Sequence, residues 1–251
     1  MRMMRSWRTV VWTGLLLIAL TSVPAAAQAQ TGVRMVPPPN DGERYWPRWR
    51  GPSGQGVVDG SGYVDTWSET TNVRWRTPVP GSGHSSPIVW GDQIFLTTSR
   101  DGGRRLSLLS FRRSDGALLW ETDAPEGRVE RHHGKNTPAS ATPTTDGERV
   151  YASFGSRGLL AVDFDGSIVW QRDLGRIENY HGPAGSPLLY GDTIIIYQDQ
   201  GASFGAGGIN RSAAGAFVIA VDAESGETRW RTDRSASVGW GTPIAISLGD
   251  H

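Results

Sequence analysis

Phe217-Val218-Ile219-Ala220-Val221-Asp222-Ala223-Glu224-Ser225-Gly226-Glu227-Thr228-Arg229-Trp230 runs from strand-forming apolar residues through a turn to a polar segment that ends on tryptophan. Phe217 to Asp222 reads as a strand, Glu224-Ser225-Gly226 as a tight turn, and Glu227 to Thr232 as the returning strand. Upstream, Thr193 to Gln198 is a second β-branched strand, reached from Ser186 to Tyr190 across the Gly191-Asp192 turn. The two middle strands are almost continuously apolar, which implies burial on both faces. One unit is therefore four short strands whose middle is sandwiched between neighbours.

The unit recurs. Ser86-Pro87, Thr142-Pro143, Ser186-Pro187 and Thr242-Pro243 open four segments, followed by Gly91-Asp92, Gly147-Glu148, Gly191-Asp192 and Gly249-Asp250. Gly116, Gly166 and Gly226 each stand four residues before a tryptophan, at Trp120, Trp170 and Trp230. These tryptophans lie 50 and 60 residues apart, and Trp75 lies 45 before Trp120. A period near 50 with this many turns is the mark of a propeller. No segment shows a helical period, so the chain reads as all-β, a β-propeller of four-stranded antiparallel blades. Three complete blades are expected, at 86–122, 142–172 and 186–232, with the next starting at 242–251. Closure takes about four to eight blades. The expectation is a C-terminally truncated fragment of a seven- or eight-bladed ring, with Asn72 to Thr77 an outermost strand that lacks a blade of its own.

Composition excludes several classes. The 251 residues include no Cys, so a disulfide scaffold, a thiolate metal site and a cysteine nucleophile are ruled out. The 25 basic residues balance the 25 acidic ones without a basic run, so the footprint of a nucleic-acid binder is missing. Arg2, Arg5 and Arg8 precede an apolar run from Val10 to Leu20 and the small residues Ala25-Ala26-Ala27, the pattern of a secretory signal peptide over 1–27. Its apolar run is too short to span the bilayer's roughly 30 Å of hydrocarbon. The expected location is periplasmic or secreted. An N-terminal extension over 28–71 then leads into a propeller over 72–251.

In such blades the first-to-second and third-to-fourth turns share one face of the disc, where every connection is short. The other face carries the variable stretches Thr122 to Ala139, Asp173 to Gly185 and Asp199 to Gly215. Insertions gathered on one face mark a binding face, though drift in unconstrained loops gives the same pattern. His84, His133 and His181 precede the Ser-Pro or Thr-Pro that opens a blade, with Asn136 and Trp240 at comparable positions. These five, with Asp199 nearby, either line a ligand site at the channel mouth or pin loops through hydrogen bonds. No metal site is secured, because adjacent His132 and His133 on a strand face opposite sides. Catalytic motifs fail: Gly83-His84-Ser85-Ser86-Pro87 lacks the second glycine of a nucleophile elbow, and no helix follows it. Gly201 to Gly215 reads as a flexible loop rather than a phosphate cradle. Trp75, Trp120, Trp170 and Trp230 are read as structural, burying rings between blades.

The string from Ala220 to Trp230 resembles the tryptophan docking motif (Ala, x, Asp, two x, Thr or Ser, Gly, three x, Trp) of pyrroloquinoline-quinone (PQQ)-type β-propellers. Ala161, Asp163, Gly166 and Trp170 carry it with one residue deleted, and Ser110 and Arg112 replace the Ala and Asp ahead of Gly116 and Trp120. Tyr45-Trp46-Pro47-Arg48-Trp49-Arg50-Gly51-Pro52 is similar to the N-terminal signature of secreted bacterial PQQ-binding-like propeller repeat proteins. The resemblance implies one of two functions. The first is an exported, non-catalytic binding or scaffolding propeller that takes a protein or small molecule at its loop face and channel. The second is a PQQ-dependent dehydrogenase with the quinone and Ca2+ in the channel and an Asp as base. The family's dehydrogenases carry a vicinal cysteine disulfide over the quinone, and its outer-membrane assembly propeller carries a lipid-bearing Cys. This chain has neither, so the binding propeller without a membrane anchor is the expectation, its cofactor unassigned.

Overall fold

The computed structural model describes residues 33–201, 204–205, 208–209, 215–235 and 238–248. The signal peptide, Gly249-Asp250 and most of the Gly201 to Gly215 loop lie outside them. Three four-stranded antiparallel sheets form the blades, each in sequence order from the inner to the outer strand. Counting from a short N-terminal strand β1 (Val33–Met35), the first blade comprises β2 (Ile88–Trp90), β3 (Gln93–Arg100), β4 (Arg105–Arg112) and β5 (Leu118–Asp123). The second comprises β6 (Thr144–Thr145), β7 (Arg149–Ser153), β8 (Leu159–Asp163) and β9 (Ile168–Arg172). The third has β10 (Leu188–Tyr190) and β11 (Thr193–Gln198), then a small hairpin of β12 (Phe204–Gly205) and β13 (Gly208–Ile209) inside the glycine-rich loop, then β14 (Phe217–Asp222) and β15 (Thr228–Asp233). The opening of the next repeat supplies β16 (Ile246–Leu248), which pairs with β1.

The apolar middle strands bury both faces. In the second blade Val150, Ala152, Leu160 and Val162 pack with Ile88, Phe95, Leu106 and Leu108 of the first. The alternate residues Tyr151, Leu159 and Ala161 pack with Ile194, Ile196, Phe217 and Ile219 of the third. The period of two along a strand thus produces two cores, one at each interface between blades.

The docking motif has a geometric reason at every position. Each outermost strand carries a β-bulge just before its tryptophan, which sets Trp120, Trp170 and Trp230 opposite Ser110, Ala161 and Ala220. A small residue there leaves room for the indole. The ring then crosses to the next blade. Trp75 donates its Nε1–H to Arg113 O, Trp120 to Phe164 O and Trp170 to Ala223 O, each at 2.9 Å. Beneath the rings of Trp75, Trp120 and Trp170 lie Gly116, Gly166 and Gly226, all at positive φ. A Cβ on Gly226 would come within 2.7 Å of the Trp170 ring, and one on Gly166 within 2.9 Å of Trp120. Gly226→Ala, strained in backbone and clashing with the ring, should cost about 2–3 kcal/mol in urea unfolding. A cost below about 0.5 kcal/mol, the level of a neutral surface change, would remove the ring contact as the reason for glycine. Asp222 caps the turn, accepting the N–H groups of Glu224 and Ser225 and pairing with Arg229, which together draw its carboxyl down to about 2.

Two elements depart from the sequence reading. Asn72 to Thr77 forms no ladder among the described residues, and Asn72 sits in a bend at φ 60°, although Trp75 still docks like its counterparts and Thr77 Oγ1 donates to Gly116 O. Trp230 is 45% exposed, with no glycine turn beneath it among the described residues.

The Ser-Pro and Thr-Pro openings link the blades at their inner edge. Ser86 N–H donates to Thr142 Oγ1 at 2.9 Å, Thr142 N–H to Ser186 Oγ at 3.0 Å and Ser186 N–H to Thr242 Oγ1 at 3.4 Å. Trp46-Pro47 lies against that edge: Trp46 exchanges backbone hydrogen bonds with Val89 of β2, and Pro47 O accepts the N–H of Thr145 in β6. The buried Arg48 guanidinium fastens this segment by donating to Val36 O and Pro52 O. The N-terminal signature is thereby part of the propeller's inner wall.

Candidate functional site

The three crossovers into the second, third and next repeats meet on the variable face, because each enters an innermost strand beside its neighbour. His133 and His181 rings lie 5.4 Å apart, Tyr180 meets His181 edge-on at 5.0 Å, and Trp240 meets it edge-on at 5.1 Å. Asn136 Nδ2 donates to His181 O at 2.6 Å, and its own Oδ1 accepts from Ser140. The Trp240 indole donates to Gly182 O at 3.2 Å, and Lys135 N–H donates to His133 Nδ1 at 3.1 Å. Asp199, directly after β11, accepts Gly239 N–H at 3.0 Å. The structure thus brings His133, Asn136, His181, Trp240 and Asp199 into one knot of crossovers.

His84 stands apart. Its backbone N–H reaches Ala139 O, but its side chain is exposed and no ring contact joins it to the others. His132 and His133 lie outside any strand, and His132 packs against Gly182 with Nδ1 at 3.1 Å from Glu130 O. No group of three or more His, Cys, Asp or Glu placed to hold a metal ion exists among the described residues.

Several residues that sequence patterns did not single out complete the face. Arg234 Nη1 lies 3.0 Å from Asp199 Oδ1 and its guanidinium sits over the Tyr197 ring at 5.0 Å. Burial raises the Asp199 carboxyl above its ordinary value and lifts the Tyr197 phenol to about 12. Arg131 covers the Tyr180 ring at 4.9 Å. Glu130, buried and raised by that burial, accepts the N–H of Ser156 at 2.5 Å. The sequence signals for these are the variable stretch Thr122 to Ala139, which holds Glu130 and Arg131 beside His132, and the adjacency of Tyr180 to His181.

Two cavities flank the knot. One of about 390 Å³ is lined by Ser82, Arg100, Asp101, His132 and Pro138, and one of about 180 Å³ by Arg128, Glu130, Arg131, Arg176 and Tyr180. A larger cleft of about 830 Å³, lined by Tyr45, Trp46, Val57, Tyr63 and Arg113, opens beside the N-terminal segment at the short-turn face. A channel quinone with Ca2+ does not fit the described residues. Ca2+ takes about six to eight oxygens. Asp199, the knot's only carboxylate, is committed to Gly239 and Arg234, while the inner edges of β2 and β6 are taken by Trp46-Pro47.

Residues 55–239 match the family model described as outer membrane protein assembly factor BamB. No curated protein matches the chain. Among solved structures, the quinohemoprotein alcohol dehydrogenase of Comamonas testosteroni is 17% identical over 61% of this chain and 21% of its own, with a TM-score of 0.43. BamB of Moraxella catarrhalis is 18% identical over 63% of this chain and 51% of its own, with a TM-score of 0.37. The chain therefore spans about a fifth to a half of the length of these structures.

Proposed function

From the premise that the chain belongs to the outer membrane protein assembly factor BamB family, matched over 55–239, we propose that it is an exported, non-catalytic binding propeller that engages a partner through its variable face. One observation carries this reading: three crossovers are pinned to one another through His133, Asn136, His181 and Trp240, with cavities on both sides. Asn136 Nδ2, the Trp240 indole N–H and His133 Nδ1 are engaged in internal bonds, as a rigid platform requires. The exposed Lys135 and the 41% exposed Trp240 are presented on this face. Asn136 and the Trp240 N–H act as framework, and His133, His181 and the Trp240 ring as contact surface. Export rests on the 1–27 pattern. Among the described residues no helix is long and apolar enough to cross a membrane.

The second reading, a PQQ-dependent dehydrogenase with Ca2+ in the channel, is weakened by the Trp46-Pro47 backbone along the inner edge. Two experiments decide between them. A photo-crosslinking residue at Lys135 should capture a partner in cells, whereas one at Asp92 on the short-turn face should not. Equal capture at both positions would sink the face assignment. Stoichiometric PQQ binding with Ca2+ and turnover of simple alcohols would replace the binding reading by the enzymatic one.

A further inference from the structure

We propose that Asp199 is the catch that holds Trp240 over the crossover knot, and that protonating Asp199 releases it. The proposal rests on the variable face being the binding face, since Trp240 is the ring exposed there.

The Asp199 side chain is 1% exposed. Its Oδ2 accepts Gly239 N–H at 3.0 Å, while its Oδ1 sits 3.0 Å from Arg234 Nη1 without an aligned hydrogen bond. Tyr197, two residues earlier on β11, donates its hydroxyl to Gly241 O at 2.5 Å. One strand end thus grips the residues on either side of Trp240, and both of those are glycines whose backbone turns freely once released. Trp240 itself is 41% exposed and is held otherwise by the indole bond to Gly182 O and the edge-on contact with His181.

The groups facing this catch among the described residues are Arg234, Tyr197 and, across the Trp240 ring, His181. A charged acceptor forms roughly twice as strong a hydrogen bond as a neutral one. Protonation therefore weakens the Gly239 bond and abolishes the attraction of Arg234. Burial already favours the neutral acid, with Arg234 and Gly239 N–H opposing. The sign separates positioning from mere stabilisation. A carboxyl raised in the folded state costs stability as pH rises through its titration, so removing the charge should leave stability at pH 7 unchanged or higher. Trp240 should nevertheless lose its fixed place.

The test uses 1H–15N spectra of the full chain, with the Trp240 indole resonance identified by its loss in Trp240→Phe. In the unsubstituted protein that resonance should move with a single titration as the pH is lowered from 7 while far-UV circular dichroism stays constant. In Asp199→Asn it should sit at the acid position throughout. A resonance that does not move, or one that still titrates in Asp199→Asn, would overturn the proposal, and its loss in His181→Gln would assign the titration to His181. Crosslinking from Lys135 is read separately. Capture without a Trp240 titration rejects the catch alone, whereas a titration without capture rejects only the binding reading.

Discussion

Trp170→Ala should remove about 3–5 kcal/mol of stability, the range for truncating a buried tryptophan, whereas Trp230→Ala should cost under about 1 kcal/mol. The two residues occupy the same position in successive blades, so the comparison isolates docking from local sequence. Trp170 is 9% exposed, donates to Ala223 O and covers Gly226, and it belongs to the core shared by the second and third blades. Removing it opens a cavity at that interface and leaves a carbonyl without its donor. Trp230 has the same bulge and the same cross-strand alanine, but nearly half its surface is in water. Guanidinium unfolding followed by far-UV circular dichroism measures both. Equal losses would mean that the motif stabilises each blade from within rather than by docking onto its neighbour.

The docking rule was legible because it is local and repeated. The spacing from Gly226 to Trp230 and its copies places one ring and one turn per blade, and the bulge opposite Ser110, Ala161 and Ala220 supplies the reason for the small residue. The Ser-Pro and Thr-Pro openings were legible as a repeat but not as a chain of hydrogen bonds between blades, since each bond joins residues 44 or 56 apart. Position in the repeat places His133, Asn136, His181 and Trp240 on crossovers that lie side by side. His84 stands at the same point of its unit, but its side chain is exposed and has no ring contact with the others. Arg234 and Tyr197 left no mark because their pairing with Asp199 and Gly241 arises only when the third blade closes on the next crossover. The seating of Trp46-Pro47 on β2 and β6 was equally silent, since single backbone bridges carry no periodic pattern.

Arg157→Met should cost about 3–5 kcal/mol, the penalty for breaking a buried charged network, and should loosen the variable face before the blades unfold. Arg157 sits 6% exposed in the connection between β7 and β8. Its Nε donates to Arg128 O, Nη1 to Pro125 O, and Nη2 to both Gly103 O and Arg104 O, at 3.0 to 3.2 Å. Four carbonyls from two loops, the β3–β4 connection and the crossover into the second blade, thus share one guanidinium. Burial lowers its pKa and nearby Glu130 opposes that shift, so the pair keeps a cation where water cannot reach. Methionine fills the volume but supplies no donor, leaving those carbonyls to find water by opening the loops. Arg157→Lys should recover only part of the loss, because an ammonium has three donors and lacks the planar fork that reaches both loops. Limited trypsin digestion under native conditions reads the loosening directly, with early cuts expected after Arg104, Arg128 and Arg131 in Arg157→Met and not in the unsubstituted protein. If Arg157→Met matched the unsubstituted protein in both digestion and unfolding, these loops would be held by their own turns. The rigidity of the binding face would then need another origin than this single side chain.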